Sequence, residues 1–575
     1  MGEHTISRRN FLAGLTATGA LAAAGALAGC APQAQAEGGK SGKADAATQS
    51  SWRDKPEMPA NIAETMEADL VVIGAGNGGL VAATTAAQNG AKVIVLEKGG
   101  DIAMAREAVG ALNSPLEPDH HEDPAKLMNH ANSVNSGDVN MPLYKTWAEQ
   151  SGEMIAWMKE TLEPKGMLFP FEWHCPSPEV APEAYYPAMC YNPCLEEYNP
   201  EGPNYGAYMH LEVMREVLLD LGGEIIFQTP AQQLVQDESG KVTGVIALRG
   251  GGKEAIQVNA KNGVIVCTGG YGANEEMLNE LCPVVSEYCV LGDSVTEEGD
   301  GIRMALWAGA YLEAGGSCMI WNRGLMNDDT QFGRPWSGQI FLPGSQPFLH
   351  VNNNGERFMN EDQCYPMSYS GALNQPGHFS WEIWDGSYWE DILKFDTCGC
   401  SRLAPAPAGT AFNADVYDCE AISKEHLDSF WFAPNLESGA IKKADTLEEL
   451  AKQMGFDAAK TETFLANVAR YNEMAAAGAD TDFGKEPFRL SAVNEPPYYA
   501  ARIAGELLVT THGVVTNTSS QPLREDGTVI DGLYVCGNDQ GGFYPHNYPT
   551  NFTGINAGRT ATFGRIAAKH ALGVA

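Results

Sequence analysis

The chain has 575 residues, 44% of them hydrophobic and 19% charged, which is enough apolar surface for a large globular body of two or more lobes. Acidic residues outnumber basic ones 73 to 37, a formal charge of −36. That charge repels nucleic acid and anionic lipid headgroups and argues against both as partners.

In chain order, Ser7-Arg8-Arg9-Asn10-Phe11-Leu12 stands before an Ala-, Gly- and Leu-rich run ending near residue 29. A twin arginine ahead of such a run reads as a twin-arginine export signal, residues 1–36. The run is too weakly hydrophobic for a committed membrane span. Two endings compete: Leu27-Ala28-Gly29-Cys30 resembles a lipoprotein box, and Ala34-Gln35-Ala36 an ordinary cleavage site. The expected destination is the outer face of the cytoplasmic membrane or the periplasm. Residues 37–64 read as a flexible tether. The chain has thirteen cysteines but no CxxC or CxxCH, so covalent haem is unsupported. Cys175, Cys190 and Cys194 leave an iron–sulfur cluster open, against scattered buried thiols.

Residues 69–98 carry the clearest chemistry. Leu70 to Ile73 is a continuous apolar strand, as a parallel sheet covered on both faces requires. Gly74, Gly76 and Gly79 then form GxGxxG at a strand-to-helix turn. The first allows the tight turn, the second the approach of a pyrophosphate, and the third close helix–strand packing. The helix N-terminus offers unpaired N–H groups to that anion. Glu97, at the end of the next strand, is placed for an adenosine ribose.

Four later segments follow: a hydrophobic strand ending at Thr268-Gly269-Gly270, then "EEGDGIRMALWAGA", "DGTVIDGLYVCGNDQGG" and "GINAGRTATFGRIAAKHAL". In this order, over about residues 66–575, the chain resembles the fumarate reductase and succinate dehydrogenase flavoprotein superfamily. The resemblance implies an α/β fold: an interrupted Rossmann-type FAD-binding domain (65–314 and 486–575) with an inserted α+β capping domain (315–485). It implies non-covalent FAD and no metal at the active site. Its cofactor contacts fall on Gly74, Gly76, Gly78, Gly79, Glu97, Lys98, Ala105, Arg106, Gly110, Ala111, Ala231, Asp300, Asn538, Asn556 and Ala557. The N-terminus of the last helix is expected to favour an anionic reduced flavin.

The catalytic positions depart from the fumarate and urocanate reductases. Arg357-Phe358-Met359-Asn360-Glu361 is intact, but the proton-donating arginine four residues on is Tyr365. The carboxylate-clamping arginine aligns with Asn551. The family's histidines align with Leu508 and Val509, and His512 falls on the following turn. Neither a phenol nor an amide reproduces a bidentate guanidinium, so a dicarboxylate is disfavoured. The 3-ketosteroid dehydrogenase branch is closer: Tyr365 occupies its tyrosine position, and Tyr548 with Gly554 matches its carbonyl-holding loop, with Tyr544 an alternative. His512 is a further candidate acid.

The resemblance implies reduction of an activated C=C bond of a steroid or phenolic type. Flavin N5 delivers hydride, Tyr548 and the Gly554 N–H hold the enolate oxygen, and Tyr365 protonates carbon. The same groups run backwards give a 3-ketosteroid dehydrogenase. A fumarate- or urocanate-type reductase survives if Arg323 or Arg334 replaces the clamp, and a non-catalytic flavin electron carrier is the alternative of another class. Electrons are expected from a separate donor protein or a quinone-linked system.

Overall fold

Leu70–Ile73 has no polar interruption, and all four residues are buried in the middle of a parallel sheet. The computed structural model describes residues 51–575 except 104–107, 173–184, 188, 196–208, 293–295, 335–340, 364, 398–400, 402, 404–422, 550 and 575, and the side chains of 209 and 365–367. Strand order in the sheet is Leu533–Val535, Val264–Val266, Leu70–Ile73, Val93–Leu96, Glu224–Ile226, every neighbouring pair parallel. Alternate side chains go to opposite faces. Leu70 and Val72 join one core with the helices Asn77–Gln88, Met141–Leu162 and Ile555–Leu572. Val71 and Ile73 join another, with Val245 and Val258 of a four-stranded sheet. That sheet runs Glu64–Ala68, Glu254–Ala260, Val242–Leu248, Ala231–Gln236. The architecture is the expected α/β FAD-binding domain with a second, capping region.

The capping region is built on one long strand, Tyr498–Thr510. Cys289–Leu291 pairs with it in parallel; Cys318–Leu325, Ser380–Trp384 and Ile441–Ala444 pair antiparallel, and Leu349–Val351 extends the sheet beyond Ser380–Trp384. Two strands of this sheet, 289–291 and 498–510, therefore lie outside the expected 315–485 span. Thirteen residues, buried almost throughout, give one strand enough length to meet several partners. At the other end, the expected tether closes in a docked segment. Trp52 is buried, its Nε1 donating to Glu280 Oε2 (2.7 Å) and its backbone N to Glu276 Oε2 (3.0 Å).

The intact Arg357–Glu361 motif is a buried cross-link. Arg357 grips Glu361 with two 2.8 Å hydrogen bonds and Asp480 with two more, and Lys485 Nζ stands 3.3 Å from Glu361. Burial alone would raise the Glu361 carboxyl, but Lys485 and Arg357 hold it below its usual range.

Glu382, fully buried in Ser380–Trp384, has no such rescue. Neither oxygen has a hydrogen-bond donor among the described residues, and His350 Nε2 is 3.8 Å away, too far for one. Burial pushes its pKa up to about 7. A carboxyl raised in the folded state adds stability below its unfolded pKa, and that stability is lost as pH rises through about 7. Glu382→Gln is therefore expected to unfold less readily than the parent at pH 8, by about 1–3 kcal/mol, with little difference at pH 4. Urea denaturation at the two pH values checks it, and equal differences would refute it.

Candidate active site

Two helix N-termini meet at the end of the parallel sheet. At the first, Gly74 has φ +100°, and a Cβ on Gly79 would lie 1.9 Å from the Gly74 carbonyl, so the turn closes only on glycine. The helix Asn77–Gln88 that follows has no side-chain cap and no acidic residue in its first turn. The final helix, Ile555–Leu572, is also uncapped and acid-free at its start, with Gly554 left-handed at its N-cap. Asn77 Nδ2 donates to Ala557 O (2.9 Å), tying the two ends together. Gly110 N donates to Gly554 O (2.8 Å), and a Cβ on Gly558 would fall 1.7 Å from Gly110 O.

These features fit a dinucleotide cofactor. The start of Asn77–Gln88, with no capping side chain, forms an anion seat, and the start of the final helix adjoins it. Glu97 is buried at the end of Val93–Leu96, its oxygens accepting from Ala75 N (2.8 Å) and Gly99 N (2.7 Å), and each keeps a further lone pair for a ribose hydroxyl. Asn77 Oδ1 is a buried acceptor without a donor among the described residues. Gly76 and Gly78 lie in the same turn. Ala111 N donates to Met189 O (2.7 Å), and Ala231 opens a strand of the outer sheet. Lys98 and Asp300 pair with each other at 2.9 Å, and Arg303 also holds Asp300. Burial works against the Lys98 charge, but Asp300 and Glu298 carry its pKa above the ordinary value. Ala105 and Arg106 lie outside the described residues.

Residues 538–559 bring the substrate-side candidates together. Tyr548 is buried, and its hydroxyl accepts from Asn556 N (3.3 Å) in the first turn of the final helix. The Tyr544 ring lies 4.9 Å from that of Tyr548. The Tyr544 and Tyr144 hydroxyls are buried with no hydrogen-bond partner among the described residues, and burial raises both phenols well above their usual range. Asn538 Oδ1 accepts from Asn556 Nδ2 (3.0 Å) and from Arg559 (3.4 Å). Asn135, fully buried just past the helix Pro124–Val134, pins the loop by accepting from His546 N and Asn547 N.

Asn551 Nδ2 donates to Tyr185 O (2.8 Å) and lies 3.1 Å from His130 Nε2. The carbonyl fixes the amide's orientation, so His130 accepts there and carries its proton on Nδ1. Burial, and then Lys126, lower the His130 pKa.

Other candidates sit apart. His512 contacts Tyr271 Oη through Nδ1 (3.1 Å) and Glu313 O through Nε2 (3.1 Å), so both ring nitrogens are engaged within the protein. Tyr365 opens the helix Tyr365–Leu373, but its side chain lies outside the described residues. Among those residues no group of three His, Cys, Asp or Glu could hold a metal ion. Cys190 and Cys194 are buried in two short strands, and Cys175 is not described.

Asn77, His130, Tyr144 and Arg559 escaped the sequence reading. Tyr144 and Trp147 look like the apolar stripe of a helix, and nothing local marks Arg559 as buried.

A family model described as an FAD binding domain matches residues 69–551. The vinyl phenol reductase of Lactiplantibacillus plantarum is 27% identical, over 88% of this chain and 96% of that protein. A 3-oxosteroid 1-dehydrogenase of Mycolicibacterium smegmatis is 27% identical over 87% and 96%. The urocanate reductase of Eggerthella lenta is 26% identical over 92% and 78%. In fold, the 3-ketosteroid delta1-dehydrogenase of Sterolibacterium denitrificans superposes with TM-score 0.67 at 19% identity, covering 88% of this chain and 99% of its own.

Gly558→Ala is expected to push the final helix off Gly110, costing roughly 2–4 kcal/mol and most of the bound cofactor. Thermal unfolding and the flavin-to-protein absorbance ratio of the purified variant check this; wild-type values in both would refute the junction's role.

Proposed function

This chain belongs to the FAD binding domain family, and we propose that this FAD-dependent oxidoreductase of C=C bonds reduces an activated double bond in a neutral unsaturated carbonyl or phenolic compound. The carrying observation is Asn551. At the base of the Tyr548 loop it offers an amide whose hydrogens go to Tyr185 O and His130 Nε2, and its neighbour His130 is neutral. The amide offers no guanidinium to a carboxylate, and Lys126, the cation beside His130, lies over the Tyr185 ring at 4.4 Å. Arg323 is buried against Trp321 and donates to Ser345 and Ser401, and Arg334 pairs at the surface with Glu275 (3.2 Å). Arg559 is fully buried beneath Phe543 and Tyr544. The relatives that act on a vinyl phenol and on 3-oxosteroids support the same substrate class.

FAD, when bound, supplies the two-electron chemistry. The protein's groups do the rest. The glycine turn, Glu97 and the paired helix ends hold the cofactor. Tyr548, already accepting from Asn556 N, donates its own hydroxyl proton as a hydrogen bond to the substrate oxygen, and accepting strengthens that donation. Gly554 adds its N–H beside it. Tyr365 transfers a proton to the α-carbon. The 27%-identical 3-oxosteroid 1-dehydrogenase favours a second reading, the same groups working oxidatively.

Export by the twin-arginine route, and electrons from a separate donor protein or quinone-linked system, belong to the same proposal. Changing Arg8 and Arg9 to lysine should leave the full-length precursor in the cytoplasm on fractionation; undiminished export would rule the route out.

The reaction is tested by anaerobic reoxidation of the dithionite-reduced protein with 3-keto-Δ4-steroids, vinyl phenols, phenolic enoates, fumarate and urocanate. Fast reoxidation by the neutral compounds alone is expected. Tyr548→Phe should slow it about 10²-fold or more with flavin content unchanged. Fast reoxidation by fumarate, urocanate or the phenolic enoates, all carboxylates, would overturn the substrate class. Steroid dehydrogenation by the oxidised protein, without reoxidation of the reduced one, would favour the second reading.

A further inference from the structure

Arg559 has no part in the reaction above, yet its position needs an explanation. The side chain is fully buried. Its Nε donates to Asn556 Oδ1 (2.9 Å), and its terminal nitrogens to Gln540 O (3.2 Å) and Asn538 Oδ1 (3.4 Å). The aromatic faces of Phe543 and Tyr544 cover the guanidinium at 5.1 and 4.9 Å. All these partners are neutral, and among the described residues it makes no ion pair. Among the described residues, the ionisable groups that feel its charge are the phenols Tyr144 and Tyr544 and the carboxyl of Glu313. Glu313 is committed elsewhere, accepting from Gly513 N (3.0 Å) and Gly542 N (2.8 Å), and burial pushes its pKa up to about 7. His546 is exposed and held by Asp138.

A buried cation with only neutral partners is costly, and more so in the first turns of a helix, beside that helix's own positive end. Such an arrangement suits an anion arriving with a ligand. FAD carries two kinds of negative charge: its diphosphate, and the ring system once reduced. The glycine turn and the helix Asn77–Gln88 form the diphosphate seat. The second helix end, with Asn556 in its first turn, is left for the ring.

We infer that Arg559 is the counter-charge for the reduced cofactor, acting through Asn556 and Asn538 to keep the ring anionic after two-electron reduction. The ring then takes up two electrons and one proton, and a second proton stays in solvent. This rests on bound FAD and not on the substrate class proposed above, so an error in that class leaves it standing. Arg559 is a positioning residue, and the readout is protons taken up per two electrons.

The test is a potentiometric titration, from acid to alkaline pH, of the purified holoprotein and its Arg559→Gln and Arg559→Lys variants. Wild type and Arg559→Lys are expected to take up one proton per two electrons through neutral pH. Arg559→Gln should take up two, its reduced flavin titrating about one pH unit or more higher, tenfold in the stability of the anion. An Arg559→Gln protein that holds FAD and titrates like wild type overturns the inference. Weakened FAD binding with unchanged proton uptake also overturns it, by assigning the charge to the diphosphate. Should Arg559→Gln not retain FAD, Asn556→Leu decides: two-proton uptake supports the inference, and one-proton uptake overturns it.

Discussion

One backbone crossing, the residue pair Val109–Gly110 laid against the start of the final helix, holds the cofactor site together. Gly110 N reaches Gly554 O at 2.8 Å, and Gly558 leaves the Gly110 carbonyl no room for a methyl group. Because the two backbones touch, the final helix cannot slide along its axis. Its N-terminus therefore stays level with that of Asn77–Gln88, and Asn77 can bridge to Ala557. Tyr548 follows, since its hydroxyl bonds to Asn556 N on the same first turn. A displacement at this crossing would misplace the cofactor seat and the substrate-side phenol together.

Charge is distributed unevenly around that crossing. The cofactor side gathers positive potential from two uncapped helix ends and Arg559. The buried carboxyls farther away are handled differently from one another. Glu361 is held below its usual range because two cations reach it; Glu382 is pushed up to about 7 because burial outweighs His350, which stands too far off to donate. Asp539 is pushed up to about 6 although it accepts from Thr268 and Gly270, which shows how much burial its donors must offset. Its value lies in geometry, since it clamps the 268–270 turn beside Asn538.

Much of the cofactor half was legible in the sequence. An unbroken apolar run, a glycine turn and an acid at the next strand end are local features, and Leu70–Ile73, Gly74–Gly79 and Glu97 stand where local chemistry puts them. The capping region was less legible. Tyr498–Thr510 reads as a return to the nucleotide-binding half, yet its pairing is decided by strands scattered over more than two hundred residues. Trp52 sits in a polar tether whose composition hides the two glutamates that receive it. The phenols divide the same way: the Tyr548 loop carries a motif, whereas Tyr144 matters only because Met141–Leu162 packs beneath that loop. Sequence periodicity reports that a face is buried, but not what it is buried against.

The strand order has a consequence for the birth of the protein. Cys267 and Cys536 lie side by side at the ends of neighbouring parallel strands, 269 positions apart. At roughly 5–20 residues per second, a ribosome needs on the order of a quarter to one minute to make the intervening chain. Throughout that interval the strand Val264–Val266 has an unpaired edge, and the final helix, with its half of the cofactor seat, does not yet exist. The capping region has to fold inside a loop that is still open. A seat built from both helix ends therefore exists only once the final helix has been made, long after the glycine turn that forms its other half.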